Sequence, residues 1–367
     1  MKTMTLREEV AQLVFIEFHG GSPNTRSRDY LKFVRLIRDT NVGGLILTNT
    51  TGARGVQKAE PYALASFLNR MQRLARVPLL VGADFERGAS MRVSGTTAFP
   101  QAMAFGAAGD PSLTHFEGEV TAREARALGV HWVYYPVADV NNNPDNPIIN
   151  IRSFGENPQA VAAHVKAFIE GAHADKHNVI LTTAKHFPGH GAVVADSHLA
   201  LPVDRRELAD LQNDIAPYRL LIANGLAAVM AAHVVYPAID ARPASFSRRW
   251  ITQILRGELR FQGAVFSDDL SMGGAASVGD LLMRARLALA AGCDMLPVCN
   301  DRAGVRTLIE RLDNEPAPAS QLRLVRMRGR DGMSVQALHT APSWQRSREA
   351  LARVMSPPAL QLHSDIA

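Results

Sequence analysis

The sequence predicts an α/β protein of the (β/α)8 TIM-type barrel class. Three observations point there: eight short apolar runs, amphipathic segments between them, and ionisable residues at the C-terminal ends of five of the runs. The predicted strands are residues 10–18 (VAQLVFIEF), 42–48 (VGGLILT), 78–84 (PLLVGAD) and 131–139 (HWVYYPVAD). Four more follow at 179–186 (VILTTAKH), 226–233 (LAAVMAAH), 263–269 (GAVFSDD) and 292–299 (GCDMLPVC). Several are nearly continuous in apolar residues, as parallel strands covered on both faces require.

The segments 26–40, 61–77, 111–130, 157–175, 210–225 and 247–259 repeat apolar residues at three- and four-residue intervals, which predicts helices. Asn157 before Pro158 reads as an N-cap and first turn, and Gly225 suits a helix end. A doubly wound open sheet is the other arrangement this alternation allows. No repeat and no clean linker occurs before about residue 313, where DNEPAPAS is polar and Pro-containing. We therefore expect a barrel over 1–312 and a tail over 313–367 that forms no separate domain. The tail should hold one more helix and a loose end. Its Arg323, Arg326, Arg328 and Arg330 read as a solvated helix face.

Apolar residues make up 47% of the 367 and charged residues 20%, which excludes a disordered chain, a fibre and a disulfide-stapled scaffold. The net charge is +5, but six lysines are spread thinly and the arginines are scattered. A nucleic-acid partner would call for clustered charge, so none is expected. Cys293 and Cys299, the two cysteines, form neither a disulfide framework nor a zinc signature and read as small core residues. The N-terminal run is broken by Glu17 and His19, and no stretch reaches the ~20 apolar residues of a membrane span. The expectation is a cytoplasmic protein that does not meet a membrane.

Barrel enzymes draw their reactive groups from the C-terminal ends of strands. Here those ends carry Asp84, Asp139, Lys185 with His186, His233, and Asp268 with Asp269. The densest segment is TAKHFPGHGAVVADSH, residues 183–198. Gly189 and Gly191 flank His190 there, which suggests a loop able to move. His186 and His190 have the spacing of a helical metal pair, but Pro188 and Gly189 argue against a helix. A metal-dependent hydrolase using His186, His190 and His233 is one reading. The other is acid–base chemistry: Asp196 lies two residues before His198, close enough to hold one imidazole nitrogen and set the proton on the other. A carboxylate from the Asp268–Asp269 pair could serve as nucleophile, general base or metal ligand.

KHFPGHG followed by ADSH, and then FSDDLSM, resembles glycoside hydrolase family 3, and within it the single-domain β-N-acetylglucosaminidases that act on peptidoglycan fragments. NIRSFGENP, LVGADFERGASMRV and AGCDMLPVCN resemble family segments in the same order, so the likeness runs over about residues 5–310. It implies a (β/α)8 barrel, in agreement with the strand count. It also implies Asp268 as nucleophile, His198 as acid/base with Asp196 as its partner, and a sugar pocket lined by Asp84, Arg92, Arg152, Lys185 and His186. No metal or organic cofactor is implied, and the partner is a small carbohydrate such as a GlcNAc-containing muropeptide. Where the family commonly reads DQEGGRV, this chain has DFERGASMRV. Arg87 thus stands in a position usually held by Gly, and Arg92 lies further from Asp84. That departure bears on loop shape and substrate breadth. About 55 residues follow Leu312, too few for the second α/β domain of larger family members.

The activity implied is a retaining exo-β-N-acetylglucosaminidase, with a phosphorylase or a broader β-glycosidase of the same family as its rival. A sugar-binding barrel without activity would be expected to lack the nucleophile or the Asp–His pair, and both are present. His190 is the next acid/base candidate after His198.

Overall fold

The computed structural model describes residues 4–17, 25–47, 59–313, 317–327 and 334–355. Eight parallel strands follow one another round a barrel: β1 (Val14–Glu17), β2 (Gly44–Leu47), β3 (Leu80–Ala83), β4 (Trp132–Val133), β5 (Leu181–Phe187), β6 (Ala228–Ala231), β9 (Ala264–Ser267) and β10 (Leu296–Val298). β10 pairs with β1, placing Phe15 opposite Pro297. The remaining seam closes through a parallel bridge between Phe266 and Met295. This is the (β/α)8 barrel expected, with the predicted eight strands in the predicted order.

Boundaries differ where local chemistry overrides the apolar pattern. Residues 6–11 form a short helix rather than the start of β1, because Thr5 and Glu8 make reciprocal capping bonds across its first turn. Residues 18 and 48, the last of two predicted strands, lie outside the described residues. The predicted strand 131–139 shortens to Trp132–Val133, since Pro136 has no N–H to donate to a ladder. The hairpin of β7 (Val235–Tyr236) and β8 (Asp240–Pro243) stands outside the barrel and has no counterpart in the sequence reading. All six predicted helices form. Asn157 caps its helix by accepting from the amides of Gln159 and Ala160, and Arg249–Glu258 winds as a π-helix.

Inside the barrel Trp132 packs against Phe15, Phe266 and Tyr134, with ring centroids 5.4, 4.0 and 4.6 Å apart. These rings fill the lower interior and leave the C-terminal mouth open. The helix Pro318–Arg326 closes the opposite end, contributing Leu324 to the same interior cluster, which Met327 joins. It is tied down by Asp294, a fully buried carboxylate that accepts from Arg256 at 2.7 Å and from Arg323 at 3.0 Å.

The tail therefore departs from expectation. It forms three helices among the described residues, Pro318–Arg326, Val335–Thr340 and Pro342–Met355. Arg323 is not part of a solvated face but spans to a buried anion. Arg328 and Arg330 lie outside the described residues. Trp344 is buried, and its indole donates to Glu124 at 2.7 Å. Both cysteines are buried, as expected. No helix among the described residues is long and apolar enough to cross a membrane.

Candidate active site

The mouth of the barrel holds a cleft of about 680 Å³. Its floor and walls come from the strand ends where the sequence places ionisable groups, and Asp84, Lys185, His186, His198 and Asp268 all line it. Arg92 and Arg152 line it as well, from the loops after β3 and β4. Asp196 enters through His198.

One wall is a network of paired charges. Lys185, its side chain 4% exposed, reaches Asp84 Oδ1 at 2.9 Å and Glu86 Oε1 at 2.7 Å. Glu86 also takes a bidentate pair from Arg152, Nε to Oε2 and Nη2 to Oε1, both 2.8 Å. Arg92 donates from Nε to the Asp84 carbonyl at 3.2 Å, with Nη2 3.8 Å from the Asp84 carboxylate. Despite its longer sequence separation, Arg92 returns to Asp84. Burial pushes the Glu86 carboxyl upward, but Arg152 and Lys185 outweigh it and hold the group well below the usual carboxylate range. Burial likewise works against the Lys185 ammonium, and Asp84 and Glu86 reverse it, so its pKa is raised. The wall is charged on both sides at neutral pH.

Behind it, the fully buried Asp139 accepts from His186 Nδ1 at 2.7 Å and from the amide of His190 at 2.7 Å. With Nδ1 carrying the proton for that bond, His186 keeps Nε2 without a partner among the described residues, on a ring that lines the cleft. His190 is buried and bonds Ser197 through Nε2 at 3.0 Å. Desolvation, with His186 adding to it, lowers its pKa to about 4, so it is neutral near pH 7. His233 is held on both sides, Nδ1 by Ser245 at 2.6 Å and Nε2 by the Asp269 carbonyl at 3.1 Å. The three histidines of the metal reading thus point to separate partners. No group of three His, Cys, Asp or Glu among the described residues is placed to hold a metal ion.

The same cleft carries the reactive groups that the resemblance implies. Asp268 follows β9, and its Oδ1 accepts from the Asp269 amide at 2.8 Å while Oδ2 accepts nothing from the described residues. Burial would raise its pKa, but the His233 and His186 rings and the Asp269 amide bring it below the usual value. Asp269 turns away, taking the Ser271 amide and hydroxyl and the Cys299 amide on Oδ1 at 2.9, 2.6 and 3.0 Å. It pins the loop after β9 to the end of β10. Both aspartates line the cleft, but their carboxylates hold different partners.

Asp196 Oδ1 accepts from His198 Nδ1, 2.8 Å away, and from the His198 amide. Its side chain is 59% exposed. The glycines near it allow close backbone packing. A Cβ at Gly191 would sit 1.7 Å from the Val140 carbonyl, and one at Gly189 would sit 2.7 Å from Asp214 Cβ. Two residues of the site escaped the sequence reading. Asp139 stood at a predicted strand end without a site role, and Glu86 lay inside the quoted segment two residues after Asp84.

Residues 5–327 match the glycosyl hydrolase family 3 N-terminal domain. A β-hexosaminidase of Thioalkalivibrio sulfidiphilus is 40% identical over 336 residues, 89% of this chain and 94% of that protein. A β-hexosaminidase of Pseudomonas aeruginosa is 40% identical over 86% of this chain and 92% of its own length. Among solved structures, NagZ from Neisseria gonorrhoeae in complex with N-trifluoroacetyl-D-glucosamine has a TM-score of 0.79 at 32% identity, covering 94% of this chain and 98% of that one. A family 3 β-N-acetylglucosaminidase from Paenibacillus sp. has a TM-score of 0.83 at 31% identity over 95% of this chain and 68% of that one. A barrel whose mouth joins these charged walls, with a family match over nearly its whole described length, belongs to glycoside hydrolase family 3.

Proposed function

We propose that this glycoside hydrolase is a retaining exo-β-N-acetylhexosaminidase that removes terminal β-GlcNAc. The observation that carries the reading is the pairing, across one cleft, of an ionised strand-end carboxylate with a carboxylate-oriented imidazole. Asp268 Oδ2 is open to attack the anomeric carbon. The C1–O bond breaks as His198, protonated, donates from Nε2 to the leaving oxygen, and Asp196 stabilises the imidazolium through Nδ1. A water then gives its proton to His198 and displaces the carboxylate from C1. Two inversions leave the configuration retained. Asp84, Lys185, Arg152, Arg92 and His186 would hold the sugar hydroxyls.

The β-hexosaminidase relatives and the NagZ neighbour favour a 2-acetamido sugar. Their likeness, with no membrane-length helix among the described residues, supports muropeptides of the GlcNAc–1,6-anhydroMurNAc type, met in the cytoplasm, as the natural substrate. A panel of nitrophenyl glycosides tests the sugar: β-GlcNAc should be cleaved well ahead of β-glucose and β-xylose, and a preference for glucose would sink the assignment. A phosphorylase is the second reading, favoured by an acid/base that is an imidazole and so does not repel an incoming phosphate. Equal release of free sugar with and without phosphate decides for hydrolysis.

A further inference from the structure

Four lysine and arginine side chains line the cleft, and three are committed to others. Lys185 and Arg152 are paired with Glu86, and Arg92 with Asp84. The fourth, Arg87, is exposed, and its guanidinium makes no hydrogen bond or ion pair with any described residue. Its backbone is nevertheless fixed from three sides. The Arg87 amide donates to Met91 Sδ at 3.2 Å, while its carbonyl accepts from Ser90 Oγ at 3.3 Å and from the Phe99 amide at 3.4 Å. The next residue must be glycine. Gly88 has φ +72°, and a Cβ there would lie 2.8 Å from the Phe99 ring. The turn therefore presents one unpaired guanidinium at the cleft from a rigid base.

Its depth identifies what it meets. The paired wall lies deeper, its Lys185 and Glu86 side chains 4% and 12% exposed, and suits the terminal sugar, whereas the exposed Arg87 stands at the solvent side of the same cleft, where an exo-acting enzyme places the group it releases. We propose that Arg87 is a specificity-determining residue that binds a carboxylate on the aglycone, so that β-GlcNAc linked to an acidic residue is preferred over its neutral counterpart. This rests on the hexosaminidase reading above. A guanidinium fork matches a carboxylate in a bidentate geometry that an ammonium does not reproduce.

The test compares two β-GlcNAc glycosides, with 3-carboxyphenyl and 3-(methoxycarbonyl)phenyl aglycones, on the full chain and on Arg87→Gln and Arg87→Lys. The readout is the ratio of kcat/KM for acid over ester. Differences in leaving-group chemistry cancel when that ratio is compared between proteins. Arg87→Gln should lower the ratio about fivefold or more, and Arg87→Lys by less. In the wild type the ratio should fall as salt rises. Ratios within twofold of one another in the wild type and Arg87→Gln would overturn the proposal. So would a rate stimulated by inorganic phosphate in the wild type and not in Arg87→Gln with the ratio unchanged, which would assign the guanidinium to phosphate. If neither glycoside releases GlcNAc from the wild type, the hexosaminidase reading falls and this inference falls with it.

Discussion

The wall built on β3 and β5 and the loop that follows β5 both hold ionisable side chains at the cleft, and they do so by opposite means. Lys185 is 4% exposed and touches two carboxylates, one of which is clamped in turn by Arg152. His198 is 59% exposed and has a single orienting partner, Asp196. A buried network fixes positions because every charge would be stranded if one member moved. An exposed imidazole stays exchangeable with water, as a group that must give and later take a proton requires. On the proposed reading, the groups that would bind the sugar are preorganised while the group that would transfer the proton is only aimed.

Asp268, which lines the same cleft from the end of β9, should show the largest effect. Asp268→Asn removes the attacking oxygen's charge with little change in size and should cut turnover of nitrophenyl β-GlcNAc by about 10⁴-fold with an unchanged melting temperature. Activity above about a hundredth of wild type would rule out Asp268 as nucleophile. Asp269→Asn should do the reverse. It keeps one oxygen to accept from the Cys299 and Ser271 amides but turns the other into a donor that faces the Asn300 side-chain amide, so its effect belongs in the melting curve more than in the chemistry.

His198→Ala comes next, and its size should depend on the leaving group. With an unactivated aglycone, glycosylation needs a proton and should slow by roughly 10³-fold. With nitrophenolate that need nearly vanishes, so the covalent intermediate should accumulate, a burst of nitrophenol should appear, and azide should restore turnover. Asp196→Ala should give a weaker form of the same pattern. Equal losses on both substrates without a burst would make His198 a binding or structural residue.

Breaking the buried wall should read out in stability instead. Glu86→Gln leaves the charges of Arg152 and Lys185 short of a counter-ion in a site the bulk solvent barely reaches, at a cost of about 3 kcal/mol. Thermal unfolding checks this, and a variant as stable as wild type would mean the network contributes positioning alone. Because Glu86 has its pKa held well below the ordinary value, its stabilising effect is present above that ordinary value and is lost as acid approaches the lowered one.

Most of this architecture was legible because barrels write themselves into sequence as alternation. Apolar runs near Val14, Leu45, Val81 and Val265 each had to be buried on both faces, and each became a strand. What escaped was local or long-range. The capping pair Thr5–Glu8 turned a predicted strand start into a helix, and the Asp294–Arg323 contact links residues whose pairing no periodicity records. In the site, Asp268 and Lys185 lay at strand ends and could be found by position. Glu86 could not, because its importance comes from Arg152, 66 residues away in the chain. Arg92 met Asp84 despite the altered spacing because the loop between them turns back through Gly88.

Glu117 gives the smallest predicted effect and the cleanest contrast with Glu86. It lies on the helix Pro111–Leu128, fully buried, and neither carboxyl oxygen has a hydrogen-bond partner among the described residues. Desolvation therefore dominates, and its pKa rises well above the ordinary glutamate value of 4.5. A raised pKa makes the folded state bind a proton that the unfolded chain releases. That contribution to stability is complete below the ordinary value and fades as pH climbs toward the raised one. Glu117→Gln keeps the shape and removes the titration. The variant and the wild type should melt alike near pH 5, whereas at pH 8 the variant should be more stable by about 1–2 kcal/mol, or a few degrees in Tm. A gap that does not widen with pH would mean that Glu117 is already solvated or paired in the folded protein. Glu117 and Glu86 would then differ less than their surroundings imply.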